Sequence, residues 1–114
     1  MANLQRTDIA GVTVLRLNGS LSQTELADVE KSFHDATHQQ GAAIVLDLSN
    51  VSKVDSGGVG KIVNCLSRLR IAGGTLCLAG VTGMIGGVLK MTQVDRLVKV
   101  YSTAQEAAQS FPHA

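Results

Sequence analysis

Tryptophan is missing from this chain, and only one tyrosine and two phenylalanines stand among its 114 residues. An interior with so few rings is filled by aliphatic side chains and glycine, and there is no aromatic-rich basic strand on which bases could stack. Charge of one sign is lacking too. Ten Lys and Arg meet nine Asp and Glu, for a net charge of +1. That balance argues against nucleic acid or an anionic membrane surface as an electrostatic partner. No apolar run approaches the roughly 18 residues a membrane span requires, and MANLQRTDIAG has no basic stretch followed by an apolar one, as a signal peptide would. The expectation is a cytoplasmic protein with no direct membrane insertion. The two cysteines, Cys65 and Cys77, sit in apolar segments without ligand-spaced neighbours, which predicts reduced, buried thiols.

Apolar residues make up 45% of the chain, enough for one packed core, and the length fits one domain spanning residues 1–114. No linker, low-complexity tract or repeat divides it. The lone proline, Pro112, lies near the end, so glycines punctuate the pattern. Residues 3–9 read as an edge strand, and 12–18 (VTVLRLN) as a β-rich alternating one. Residues 22–40 read as a helix, with Leu26, Val29, Phe33 and Ala36 at helical spacing, a Ser22/Glu25 capping box and Gly41 as its stop. Residues 42–48 (AAIVLDL) suit a strand buried on both faces. Residues 57–72 carry an apolar helical stripe through Val59, Ile62, Val63, Leu66 and Leu69. Strand 75–79 follows, then a short helix over 83–92 with Met84, Ile85, Val88, Leu89 and Met91 as its packing residues. Strand 97–101 and a helix over 103–111 close the chain. The order ββαβαβαβα predicts an α/β fold with about five strands and about four helices. Its sheet is mainly parallel with right-handed crossovers, made mixed by an N-terminal hairpin.

Chemistry concentrates in VDSGGVGKI, residues 54–62. A phosphate-cradling P-loop is one reading. Setting Gly60 and Lys61 on the final glycine and lysine of that motif puts Asp55 where the first glycine belongs and Ile62 where a Mg²⁺-binding hydroxyl belongs. An anion at the mouth repels a triphosphate, and isoleucine ligates no metal, so the motif fails. The other reading is a strand–helix junction with Asp55 or Ser56 as N-cap. Gly57 and Gly58 leave the Ser56 hydroxyl without bulky neighbours, and the helix N-terminus tolerates a phosphate. Ser56 is then a candidate acceptor of a phosphate.

Other candidates are weaker. His34 and His38 in HDATH stand at i and i+4 like a zinc helix, but on the polar end of an amphipathic segment, and the only other histidine is His113. A solvated helix face is expected, with no metal and no cofactor. Asp47, the one charge in its apolar strand, either reaches solvent or a loop at the strand end, or joins the Asp55–Ser56 patch. The Met84–Met91 segment reads as packing, with an adaptable docking surface as the alternative.

The run IVLDLSNVSKVDSGGVG, residues 44–60, resembles the signature of the STAS domain family, the anti-sigma-factor antagonists. GTLCLAGV (74–81) and MIGGVLKMTQVDRLVKVYSTAQEAAQSF (84–111) follow in the family's order and spacing. The resemblance implies a bacterial, non-enzymatic regulator of transcription and a phosphoprotein. Its unphosphorylated form binds an anti-sigma factor that is itself a serine kinase, and so frees a sigma factor. Phosphorylation at Ser56 breaks the complex, and a PP2C-type phosphatase restores it. By the same resemblance Asp55 positions the acceptor, Gly57, Gly58 and Gly60 lie in the contact loop, and Lys61 and Asn64 supply part of the docking face. Gly57 stands where many members carry a second hydroxyl residue. Ser22, in the turn GSLS, stands where an aspartate that engages the partner is common. The family also includes permanent scaffold subunits of sensory or lipid-transport complexes, and the sequence leaves a homodimer open.

Overall fold

The computed structural model describes residues 3–21, 35, 43–81 and 83–111. Strands β1 (Asn3–Ile9) and β2 (Val12–Leu21) form the expected antiparallel hairpin. Its two-residue turn holds Ala10 at φ 54° and Gly11 at φ 81°, the positive pair that matches the twist of a tight hairpin. Strands β3 (Ala43–Val54), β4 (Thr75–Ala79) and β5 (Lys99–Tyr101) each add in parallel, giving a mixed five-stranded sheet in the order β1-β2-β3-β4-β5. Helix α1 (Ser56–Ile71) links β3 to β4. Helix α2 (Gly83–Met91) and a 3₁₀ turn (Val94–Arg96) link β4 to β5, and helix α3 (Ala104–Gln109) follows. The helix expected over 22–40, with Ser22, Glu25, His34 and His38, lies outside the described residues, apart from helical, exposed Asp35. His113 and the side chain of Cys65 are also outside them.

Alternation along the strands splits the interior into two layers. Leu15, Leu17, Ile44, Leu46, Leu48, Leu76 and Leu78 face α1 and α2, meeting Val59, Ile62, Leu66 and Leu69 from the first and Ile85 and Leu89 from the second. Val12, Val14, Val45, Cys77 and Ala79 face the other way, onto Ala107, Ala108 and Phe111. Small alanines let the short α3 lie close to the sheet, and Phe111 seals that layer. Aliphatic side chains thus supply the core, as the scarcity of rings requires.

Three expectations need correction. Strand β3 does not stop near Leu48 but runs to Val54, because β2 is long enough to pair with it throughout. The register shifts between Arg16 and Asn18 and again between Gly19 and Leu21, and such bulges erase the two-residue alternation that marks a strand in sequence. Asn50 Nδ2 donates to Asn18 Oδ1 at 2.8 Å and Ser52 Oγ to the Gly19 carbonyl at 3.1 Å along this extension. Met84 and Met91 are not packing residues. They are exposed, while Ile85 and Leu89 carry the packing of α2. Strand β5 is also shorter than expected, since the 3₁₀ turn draws Leu97 and Val98 off its start.

Candidate functional site

The extension of β3 delivers the chain to Asp55, the single residue between strand and helix. Its backbone is extended (φ −113°, ψ −179°), as an N-cap requires. Its Oδ1 accepts from Gly58 N–H at 2.9 Å, and its carbonyl accepts from Val59 N–H at 3.0 Å. Of the two residues suggested by sequence, Asp55 is therefore the cap, and Ser56 takes the first helical position. Both are exposed.

Helical geometry sorts the remaining candidates. Val59, Ile62, Leu66 and Leu69 bury one side of α1. At 3.6 residues per turn, Gly57, Gly60, Asn64 and Ile71 fall on the opposite side, with Lys61 beside them. Gly60 and Asn64 are exposed, Gly57 and Lys61 half-buried, and Gly58 buried beneath the cap. A Cβ added at Gly60 would meet nothing within 4 Å, so the fold itself does not require that glycine. The structure thus brings Asp55, Ser56, Gly57, Gly60, Lys61 and Asn64 onto one outward strip. Ser22 lies outside the described residues. Ile71, 89% exposed at the far end of the strip, escaped the sequence reading. Its signal was an apolar residue out of phase with the buried stripe.

Asp47 belongs elsewhere. It is buried on the α3 side of the sheet, opposite α1, and accepts from Arg16 Nε at 3.1 Å and from Ser49 N–H at 2.9 Å. It neither reaches solvent nor joins the Asp55–Ser56 strip. Gly80 closes over it with φ +68°, and a Cβ there would lie 2.8 Å from Asp47 Oδ1. Cys77 is free and buried, and loss of solvation pushes its thiol pKa up, with Lys99 opposing the shift. Among the described residues no cluster of three potential metal ligands occurs, and no helix is long and apolar enough to cross a membrane.

Comparison with known proteins bears on this geometry. The family model described as "STAS domain" matches residues 3–107. A Thermotoga maritima protein provisionally named an anti-sigma factor antagonist is 41% identical over 64 residues, a match that spans 56% of this chain and 57% of that relative. A crystal structure from Thermotoga maritima under the same provisional name superposes with a TM-score of 0.83 at 30% identity, covering 93% of this chain and 92% of the other. The Bacillus cell fate determinant SpoIIAA, solved in its phosphorylated form, shares the fold with a TM-score of 0.70 at 20% identity, over 94% of this chain and 97% of that one.

Proposed function

Because this chain belongs to the STAS domain family, we propose that it is an anti-sigma factor antagonist whose docking is switched by phosphorylation of Ser56. One observation carries the reading: the Ser56 hydroxyl stands exposed at the first position of α1, beside a cap carboxylate that already fixes the turn. A kinase can reach this hydroxyl without unfolding the domain. In the transfer, Ser56 Oγ forms a bond to the γ-phosphorus of the kinase's ATP, the bond to the ADP oxygen breaks, and the hydroxyl proton passes to a base on the kinase. Phosphatase of the PP2C type returns the hydroxyl by hydrolysis.

The switch is electrostatic. Unmodified, the opening of the strip offers the Asp55 carboxylate, the Ser56 hydroxyl and glycines to the anti-sigma factor, with Lys61 and Asn64 a turn further on. A phosphate adds about −1.5 to −2 charges next to Asp55. Its own helix accepts that charge at a positive dipole end, so the domain stays folded, while a partner surface fitted to a neutral hydroxyl has to desolvate a concentrated anion. The solved phosphorylated form of SpoIIAA supports the reading at the level of the fold. In this reading the protein is non-enzymatic, acts in the bacterial cytoplasm on transcription, comprises one domain, and docks through Asp55, Ser56, Gly57, Gly60, Lys61, Asn64 and Ile71.

The test is a pull-down against the candidate anti-sigma kinases of the source cell, followed by intact mass after ATP is added. Wild type and Ser56→Ala should bind, only wild type should gain one phosphate and be released, and Ser56→Glu should bind at least tenfold more weakly. Equal binding by all three would end the proposal. A scaffold role in a larger complex is the second reading, favoured by the exposed Met84, Met91 and Ile71. Elution of the native protein in a stable large particle, unmoved by ATP, would support it.

A further inference from the structure

The sheet edge beyond β4 is notched. Strand β4 begins at Thr75, yet its pairing with β5 begins only at Cys77, opposite Lys99. Ahead of Lys99 the chain folds back through the 3₁₀ turn, where Val98 N–H donates to the Val94 carbonyl at 3.2 Å. Among the described residues, no strand therefore lies beside Thr75 and Leu76 on that edge. The alternation of backbone groups adds a polar detail. Gly80 N–H donates toward β5, to Tyr101 O, so two and four residues back the N–H groups of Leu78 and Leu76 face the same way. Leu76 N–H points into the notch.

The result is a groove of about 390 Å³, within the size range of small-molecule sites. Its floor is apolar, with Leu66, Leu76, Val98 and Phe111. Among the described residues its charged lining is of one sign, Arg70 and Lys99. Asp95, on the nearby 3₁₀ turn, is not part of the lining. Arg70 is held at the rim because its Nη2 donates to the Leu97 carbonyl at 3.0 Å, which leaves its other N–H groups for a ligand. Lys99 is exposed.

We propose that this groove binds a small amphiphilic anion, with an apolar chain or ring over the Leu76–Val98 floor and a carboxylate or phosphate head on Arg70 and Lys99. Apolar walls give a ligand area to bury, and the two cations, the charged groups of the lining among the described residues, select the sign of its head group. The site is separate from Ser56. Arg70 lies fourteen residues further along α1, about 21 Å by helical rise.

The experiment is an NMR titration of the ¹⁵N-labelled full chain with octanoate, octyl phosphate and octylammonium, each below its aggregation threshold. Octanoate or octyl phosphate should give saturable shifts at the amides of Leu76, Cys77, Leu97 and Lys99, and the tighter of the two identifies the head group. Octylammonium should bind at least tenfold more weakly. Lys99→Glu, on the exposed rim, should weaken the anions at least tenfold while the rest of the spectrum holds, and Leu97→Trp, from a 44% exposed position, should block them by filling the groove. The proposal is overturned if neither anion saturates these shifts at millimolar concentration, if octylammonium binds as well, or if Lys99→Glu binds the anions like wild type.

Discussion

Asp55 and Gly58 are joined across the first turn of α1: the Gly58 N–H donates to Asp55 Oδ1 at 2.9 Å. The cap fixes the helix start from one side of Ser56 to the other, so the Ser56 hydroxyl has a set position without having to serve as the cap itself. The cap's contribution to stability and the switching proposed at Ser56 therefore reside on adjacent residues and can be altered separately.

Asp55→Ala should cost about 1 kcal/mol of unfolding free energy, the usual value of an N-cap. Asp55→Asn should retain most of it, since the amide oxygen also accepts from Gly58. Urea melts with unchanged m-values read both. An alanine variant as stable as wild type would show that the cap contributes nothing here.

Substitutions at Ser56 should move stability by no more than about 0.5 kcal/mol, because the side chain is exposed at a helix start. Ser56→Glu places an anion near the positive end of the helix and should melt at or slightly above wild type. Circular dichroism melts of Ser56→Ala and Ser56→Glu then separate lost binding from lost folding. A Glu variant that unfolds would assign its weak binding to the fold.

Two glycines should respond in opposite directions. Gly80→Ala forces a Cβ to within 2.7 Å of Ser49 Cβ and 2.8 Å of Asp47 Oδ1 at φ +68°. Strain and displacement of the Arg16–Asp47 pair should together cost about 2 kcal/mol or more. Gly87→Ala lies in α2 with nothing within 4 Å of the new methyl, and should stabilise by about 0.5–1 kcal/mol. Denaturant midpoints of the pair, measured side by side, check the sign of each.

Cys77 should give the protein an alkaline sensitivity. Its thiol pKa is raised in the folded state by burial. The unfolded chain therefore releases this proton first as pH rises. Its contribution is whole below the unfolded value, about 8.5, and is lost progressively above it, until the folded thiol ionises as well. Between pH 8 and 10.5, wild type should lose more stability than Cys77→Ala. Parallel curves for the two would remove Cys77 as the cause.

The strand–helix alternation was legible because its signals are local. Val59, Ile62, Leu66 and Leu69 recur at helical spacing, and 42–48 and 75–79 are short apolar runs between glycine-marked breaks. The last half of β3 was not legible, since SNVSKV carries neither spacing. It is a strand because β2 offers a partner edge, with two bulges that throw the burial of Val51 and Val54 out of period. The same limit hid the exposure of Met84 and Met91. Helical periodicity groups apolar residues on a face, but which part of a wide apolar face meets the sheet depends on where the helix docks.

At the candidate site, the sequence by itself determined the ingredients: an aspartate, a serine and glycines at the opening of a helix, with a buried stripe that fixes which side faces out. Tertiary structure decided the rest. It chose Asp55 over Ser56 as the cap and carried β3 up to that residue. It separated Asp47 from the site by turning it to the opposite face of the sheet, and it opened a groove beside β4 by starting β5 late. Each of these depends on pairing between residues far apart in the chain. Spacing along one segment can specify a face or a cap, but not the register and reach of the strand that comes to lie beside it.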